Sequence, residues 1–462
     1  MRRTLVLNVV GLTPALLAHA PNLSRLARTC GVRPLSTVTP AVTCSVQATL
    51  LTGALPVAHG IVGNGWYDRS LAEVLFWKQS NALVEGSKLW DEARRRDPGF
   101  TVAQLFWWYN MHAAVDWAVT PRPIYCADGR KLPDVHTHPG DLRDELTAKL
   151  GPFPLFRFWG PASDLTSSRW IADSALHTLR TRKPTLTLVY LPHLDYALQK
   201  LGPDDPAIAA EAAAIDAVAG ELIDAADRDG LRVVALSEYG ITRVTGAVAV
   251  NRALRQAGWL RWREELGQEK LDPGASDAFA VADHQIAHVY VRRPGLVPEV
   301  KALLEGLDGV ETVLDGAGKR AAGLDHPRAG DLVAVSRADR WFSYYWWLDD
   351  AKAPDFARTV DIHRKPGYDP VELFLDPALR APKLAIAWRL LKKAAGLRTL
   401  MDVIPLDASL VRGSHGRPTD RPEDGPLFIT SEPGLLPEGA VLATGVKDLL
   451  LAHVFDRQPV SA

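Results

Sequence analysis

Runs of apolar and β-branched residues alternate with helical patterns along most of this chain. Each clear run is bounded by polar or turn-forming residues, and the runs are "TLVLNVV" from Thr4, "TVAQLFWW" from Thr101, "TLTLVYL" from Thr185, "RVVALS" from Arg232 and "PLFIT" from Pro426. Runs without polar alternation are typical of strands that are covered on both faces. The pattern predicts an α/β fold with a mostly parallel central sheet flanked by helices.

The segment between the third and fourth runs has the period of a helix. Asp205 is a candidate N-cap, Pro206 suits the first turn, and Gly230 can end the helix. Together with its flanking strands this helix forms a strand–helix–strand unit. The carboxyl ends of such strands meet at one edge of the sheet, which is where we expect the chemistry.

Residues 247–330 have a different pattern. The stretches "AHVYVRRPG" and "VPEVKALLEGLDGV" suggest a strand, a helix and a further strand. We interpret 247–330 as a smaller α+β cap domain that is inserted into a core formed by 1–246 and 331–462. The aromatic segment "RADRWFSYYWWLDD" and the basic amphipathic helix "LAIAWRLLKKAAG" are expected to pack in the core or at a domain interface, with the lysines in solvent. An aromatic wall that faces the substrate is the alternative.

The N-terminus allows two interpretations. "MRRTLVLNVVGLTPALLAHA" resembles a signal peptide, but Asn8, Gly11 and Pro14 interrupt its apolar stretch, which favours a buried first strand. The three cysteines include no CxxC pair, so we expect neither a disulfide framework nor a cysteine zinc site. The same scarcity of cysteine leads us to expect a cytoplasmic location. Elsewhere no apolar run is long enough to predict a membrane span.

The charge balance argues against a nucleic-acid polymer as the partner. The chain has 53 basic and 54 acidic residues, a net charge of −1, and no long basic run. Its 462 residues, 47% of them hydrophobic, are enough for a large core. The charge balance is still compatible with nucleotides or small phosphoesters as substrates.

Thr43 is the first candidate for chemistry. It precedes "CSVQATLLTG", a short helical pattern with Gly53 as its stop. A hydroxyl at a helix N-terminus meets free N–H groups and the positive end of the helix dipole, which favours an attacked phosphate. A plain N-cap is the alternative.

Three further candidates follow predicted strands. In "YLPHLDYALQKLGP", His193 and Asp195 share a side if the chain stays extended, while Gln199 shares a helical face with Asp195. In "ALSEYG", Glu238 follows a buried strand and can hold a metal ion. In "RGSHGRPTD", His415 lies between two glycines that permit close approach of a ligand.

In this order the motifs resemble the type I phosphodiesterase and nucleotide pyrophosphatase branch of the alkaline phosphatase superfamily, which includes phosphonoacetate hydrolase. The matching stretches are "LNVVGL", "VTCSVQATLLTG" and the "HGIVGN" that begins at His59. The family pattern D-x-x-G-H-x-x-G-P matches "DYALQKLGP" from Asp195. The family pattern S-D-H-G matches "SEYG" from Ser237, and a late H-G matches "SHG" from Ser414.

The resemblance implies an alkaline phosphatase-like core with a phosphoryl-transfer centre. Thr43 would be the nucleophile, and Asp195, Gln199, Glu238 and His415 would be ligands of divalent metal ions, zinc or manganese, one or two in number. In such enzymes the ions activate the attacking hydroxyl and steady the leaving oxygen.

The sequence departs from the family at several ligand positions. Val10 stands in place of the first aspartate, Gln199 in place of a histidine, Glu238 in place of an aspartate, and Tyr239 in place of the next histidine. Val46 stands where the family has a phosphate-contacting asparagine. Because a valine cannot bind a metal, a two-zinc site of the usual composition cannot form.

Three hypotheses follow from these departures. A single ion is held by the retained residues, or replacement ligands come from elsewhere, or the fold has lost its metals. The candidate replacement ligands or phosphate contacts are Asn8, His193, Asp361, His363, Arg364 and Lys365, and Asp369 belongs to the same stretch. The Asp-His pairs at 283–284 and 325–326 are expected to serve turns in the cap.

The function expected from these observations is metal-dependent hydrolysis of a small phosphoester or phosphodiester through a covalent phospho-threonine intermediate. A degenerate, non-catalytic member that binds a phosphorylated ligand or a protein is the alternative. A phosphomutase would use the same nucleophile. A sulfatase is not expected, because "VTCSVQ" lacks that family's pattern around its modified nucleophile.

Overall fold

The apolar runs form the strands of a central sheet in the computed structural model, which describes residues 1–127 and 130–456. The strands of its two larger sheets are, in chain order, β1 (Thr4–Val9), β2 (Val32–Ser36), β3 (Val102–Leu105), β4 (Trp117–Pro121), β5 (Val135–His138), β6 (Leu186–Leu191), β7 (Arg232–Leu236), β8 (Ala278–Asp283), β9 (Ile286–Val291), β10 (Val310–Leu314), β11 (Leu332–Ser336), β12 (Leu427–Thr430) and β13 (Val441–Leu442). All five predicted strands are present.

The central sheet has the order β13–β2–β12–β7–β1–β6–β3–β4–β5. Its middle, from β7 to β4, is parallel, while β5 and β12 are antiparallel to their neighbours β4 and β7. All six residues of β1 are buried. Strands covered on both faces need apolar side chains on both, which explains the continuous runs.

Helices cover this sheet and connect its strands. Those with seven or more residues are α1 (Pro21–Thr29), α2 (Thr43–Thr52), α3 (Leu89–Arg96), α4 (Asp141–Leu150), α5 (Leu165–Thr181), α6 (His193–Leu201), α7 (Ile208–Arg228), α8 (Val250–Gln256), α9 (Val297–Glu305), α10 (Pro382–Ala394) and α11 (Val446–Phe455). The short α-helices are Pro56–His59, Leu155–Phe158 and Gly316–Ala321. Among the described residues, no helix is long and apolar enough to cross a membrane.

Helix α7 begins later than its sequence predicts. Its N-cap is Ala207, which makes no side-chain capping bond, whereas the carboxylate of Asp205 accepts the N–H of Ala207 at 2.9 Å. Asp205 therefore closes the turn before the helix rather than capping it. Gly230 follows the helix with a φ of +66°, as a helix stop requires.

The second sheet has the order β8–β9–β11–β10 and is antiparallel throughout. Its last strand ends at Ser336, and the cap boundaries of 247 and 330 stay a prediction. Two-stranded ladders complete the fold, pairing Gly65–Asp68 with Glu73–Phe76, Ile124–Tyr125 with Lys131–Leu132, Thr242–Arg243 with Gly413–Ser414, Gly246–Val248 with Arg340–Phe342, and Trp262–Glu265 with Gln268–Leu271.

The two segments that we expected to pack inside have different outcomes. The aromatic side chains of 342–347 are buried against the second sheet, in one cluster with Phe279 and Tyr290. Trp341 is buried in a separate cluster with Val244 and Val371. Helix α10, in contrast, has no buried residue, so the expectation that it packs in the core is wrong, while its place at a domain interface stays a prediction.

Candidate functional site

The carboxyl ends of three adjacent parallel strands bring the candidate residues together. β1 lies between β6 and β7, and Asn8 near its end pairs with Tyr190 of β6 and Leu236 of β7. The residues that follow β6 and β7 therefore meet beside Asn8. A single site built from these motifs requires this adjacency of the strand ends.

Thr43 is the first residue of α2 and its hydroxyl faces the site. The N-cap of α2 is Val42, and no side chain caps the helix, so the interpretation of Thr43 as a plain N-cap is wrong. The Thr43 Oγ1 lies 3.0 Å from the hydroxyl oxygen of Tyr239. That phenol in turn donates to Oδ1 of Asp195 at 3.3 Å. Since the phenol has one proton and gives it to Asp195, the threonine hydroxyl is the donor to the phenol oxygen.

Asp195 and Gln199 lie one helical turn apart on α6, as their spacing predicts. The amide of Gln199 donates to Oδ2 of Asp195 at 2.8 Å, and its oxygen accepts the hydroxyl of Tyr368 at 2.8 Å. His193 does not share this side. Helix α6 already begins at His193, so the extended geometry that would align it with Asp195 is absent, and its Nε2 lies 2.6 Å from Glu211 Oε2.

Glu238 is fully buried at the end of β7 and is held by two amides. Asn8 and Gln47 both donate to its Oε1 at 2.5 Å. Gln47 is itself fixed, because its oxygen accepts the N–H of Trp108 at 2.7 Å. The other oxygen of Glu238, Oε2, and the Oδ1 of Asn8 are buried without a hydrogen-bond partner.

His415 closes the site from the late glycine-flanked motif. Its Nδ1 lies 2.9 Å from the carbonyl oxygen of Ala41, and because a carbonyl only accepts, Nδ1 carries the proton and Nε2 has the lone pair. Its ring stacks on Tyr239, with centroids 3.6 Å apart and planes at 6°. The Nε2 lies 3.8 Å from Oδ1 of Asp195.

Burial dominates the electrostatics of the two acids. Desolvation raises the pKa of Asp195 to about 7, against the opposing hydrogen bonds from Gln199 and Tyr239. Desolvation likewise raises the pKa of Glu238 to about 8, although the amides of Gln47 and Asn8 lower it, and the charge of Asp195 adds to the rise. Burial lowers the pKa of His415 well below its usual range, so its imidazole is neutral.

The second sheet contributes residues that the sequence interpretation assigned to turns. The ring of His284 lies 3.8 Å from that of His415 and 3.6 Å from that of Tyr368. Asp283 accepts the N–H and the amide of Asn64 at 2.8 and 3.0 Å. The signal in the sequence was "VADHQIAH", in which the polar run "DHQ" lies between two mostly apolar strands.

The predicted site residues in the stretch 361–365 do not contact Thr43, Asp195, Glu238 or His415 in the hydrogen bonds and ion pairs of the described residues. Asp361 pairs with Arg364 at 3.3 Å, and His363 Nδ1 lies 3.4 Å from the carbonyl oxygen of Phe76. Lys365 is buried between its two ion-pair partners, the carboxylates of Asp369 and Glu372, both 2.7 Å away. These contacts account for the charge of Lys365 without a metal or a phosphate.

The donor set does not fit the pair of metal ions that the family resemblance implies. Both oxygens of Asp195 and Oε1 of Glu238 already accept hydrogen bonds from amides or a phenol, so only Oε2 of Glu238 is left free on the two acids. Val10 offers no ligand atom. Within residues 1–127 and 130–456, no group of three or more His, Cys, Asp or Glu side chains could hold a metal ion.

Comparisons with known proteins agree with the motifs. The family model described as type I phosphodiesterase / nucleotide pyrophosphatase matches residues 4–369. The comparison with curated protein sequences finds no match. A phosphonoacetate hydrolase from Sinorhizobium meliloti, solved with phosphonoacetate, is 16% identical with a TM-score of 0.62, covering 98% of this chain and 96% of that one.

A second similar structure comes from the mouse. Murine ectonucleotide pyrophosphatase / phosphodiesterase 5, in an inactive form with a threonine changed to alanine and in complex with AMP, is 15% identical with a TM-score of 0.59. The match covers 98% of this chain and 95% of that one. At this identity the structures establish the alkaline phosphatase-like fold, whereas the family match supports hydrolysis of phosphoester bonds. The family generally depends on divalent metal ions.

Proposed function

This chain belongs to the type I phosphodiesterase / nucleotide pyrophosphatase family, and we propose that it is a phosphoester hydrolase whose centre is organised by hydrogen bonds in place of a pair of ions. The observation that carries the proposal is the line of hydroxyls from Thr43 through Tyr239 to Asp195. It connects a candidate nucleophile to a carboxylate by two proton transfers.

In this mechanism Thr43 Oγ1 attacks the phosphorus at the N-terminus of α2, where the helix dipole favours the anion. As the P–O bond to Thr43 forms, its proton passes to the oxygen of Tyr239, and the phenol gives its own proton to Asp195. A pKa of about 7 suits Asp195 to act as a base near neutral pH.

The leaving oxygen needs a proton as its bond to phosphorus breaks. Glu238, whose pKa is about 8, still carries one near neutral pH, and its Oε2 has no other partner. A neutral buried carboxylic acid that donates a hydrogen bond is a known catalytic device. Water then attacks the phosphorus and gives its proton to the ionised Glu238. As the bond from phosphorus to Thr43 breaks, Asp195 returns its proton through Tyr239 to the Thr43 oxygen. Activity should therefore be highest between about pH 7 and pH 8, because Asp195 must be ionised and Glu238 protonated.

A second candidate is a non-catalytic member that binds a phosphorylated ligand. It is favoured by the burial of the nucleophile, since Thr43 is only 4% exposed and its hydroxyl is already hydrogen-bonded.

Turnover of bis-p-nitrophenyl phosphate by chelator-treated protein distinguishes these functions. We expect turnover to survive the chelator, to be lost in Thr43→Ala and to be retained in Thr43→Ser, which keeps the hydroxyl. Turnover that appears only after zinc or manganese is added would overturn the hydrogen-bonded centre. Absence of turnover under every condition, together with measurable binding of the phosphodiester, would establish the second candidate.

A further inference from the structure

Helix α10 presents an apolar stripe to the outside of the protein. Leu384, Trp388 and Leu391 are 73%, 58% and 60% exposed. Their spacing of four and then three residues places them on one face of the helix. None of the thirteen residues of α10 is buried, so this face has no partner within the part of the chain that the structure describes.

The opposite face fixes the helix to the protein. Ile386 packs against the apolar cluster that contains Val371 and Val403. The guanidinium of Arg389 donates to the carboxylate of Asp402 at 2.6 Å. The orientation of the stripe is therefore set by tertiary contacts, and the stripe faces outward because the other side is held.

The segment of the chain that carries this stripe has charged residues of one sign. Residues 377–401 contain no aspartate or glutamate, and their basic residues are Arg380, Lys383, Arg389, Lys392, Lys393 and Arg398. This contrasts with the near-neutral chain, whose net charge is −1. The ammonium of Lys392 lies 5.5 Å from the ring centroid of Trp388, so cation and aromatic ring stand side by side at the edge of the stripe.

We propose that α10 binds the surface of a membrane that contains anionic lipids, lying in the plane of the interface. Tryptophan and leucine on one face with lysine and arginine beside them are what such interfacial helices carry. A helix of this length is too short to span a bilayer. Bound flat, its apolar stripe enters the region between headgroups and acyl chains while the cations meet the lipid phosphates.

The same charges disfavour a second copy of this chain as the occupant of the stripe. Two copies that paired through α10 would bring the two cationic segments together without any carboxylate from 377–401 to neutralise them. An anionic lipid surface supplies the complementary charge over the whole length of the segment. The proposal is independent of the catalytic function, because α10 shares no contact with Thr43 or Asp195 in the interactions described above.

Co-sedimentation with vesicles tests this proposal. We expect the full chain to bind vesicles of POPC and POPG at 7:3 and to bind pure POPC vesicles at least tenfold more weakly. The charge variant Lys383→Gln/Lys392→Gln/Lys393→Gln should bind the anionic vesicles about 100-fold more weakly, since each cation contributes about fivefold. The apolar variant Leu384→Ser/Trp388→Ser/Leu391→Ser should also lose binding.

Leu442→Ser is the matched control, because Leu442 is an equally exposed leucine, 61%, on β13, which pairs with β2 of the central sheet. It should bind like the unchanged chain. Thermal unfolding confirms that each variant is folded, and light scattering reports its oligomeric state. Equal binding to both kinds of vesicle, or full binding by the apolar variant, would overturn the proposal. A dimer that the apolar variant abolishes, without vesicle binding, would identify a second copy as the occupant instead.

Discussion

Replacing Glu238 with glutamine tests whether the buried Glu238 carboxyl group is free of a bound cation. Burial raises the pKa of Glu238 from 4.5 to about 8, so the folded state holds the proton more tightly than the unfolded chain does. The stabilisation that this proton gives is fully present below about pH 4.5 and is lost as the pH rises through 8. At about 1.36 kcal/mol per pKa unit, the full effect is on the order of 5 kcal/mol.

Glu238→Gln removes the titration while keeping the shape. Its amide oxygen can still accept the bonds from Asn8 and Gln47, whereas its new N–H₂ group lies where the acid has the unpartnered Oε2. That unpaired donor lowers stability by about 1–3 kcal/mol, equally at every pH. As the pH rises from 5 to 9, the free energy of unfolding of the variant should therefore rise by about 4 kcal/mol relative to that of the unchanged chain.

Thermal unfolding at the two pH values measures this gain. An unfolding entropy of about 2.1 cal/mol/K per residue gives about 1 kcal/mol/K for 462 residues. The difference in Tm between variant and unchanged chain should shift by about 4 °C in favour of the variant. The exposed Glu299→Gln should show no such shift. An equal Tm difference at pH 5 and pH 9 would refute the reasoning, because it would mean that the ionised carboxylate is already neutralised by a cation.

Two further substitutions test the site and the fold. Tyr239→Phe keeps the stacking on His415 but breaks the line of hydroxyls, so kcat should fall about 100-fold or more, with Tm nearly unchanged. The control Tyr345→Phe removes a buried hydroxyl that has no partner and should leave kcat as it was. Full activity of Tyr239→Phe would exclude the proton path. Lys365→Met leaves the carboxylates of Asp369 and Glu372 buried and unpaired, and should lower stability by about 3–5 kcal/mol, a loss that changing both carboxylates to amides should largely reverse in Tm measurements.

Much of the fold could be predicted from local patterns, because the spacing of apolar residues in a segment indicates which of its faces are buried. The run from Thr4 is apolar on both faces and forms a fully buried strand, and Gln199 lies one helical turn from Asp195 as its spacing requires. His193 shows where this reasoning fails. A spacing of two aligns side chains only in an extended chain, and the start of a helix at that residue was not visible in the sequence.

The sequence by itself determined the family and the positions at which the chain departs from the family pattern, since these depend on residue type along the chain. Only the tertiary structure decided which side chains meet at those positions. Tyr239 reaches Thr43 across 196 positions, and Asn8 reaches Glu238 across 230. It also decided that α10 faces outward, although its sequence suits a buried interface equally well. Contacts between distant segments depend on packing, and hydrophobic periodicity does not encode which partner a face will meet.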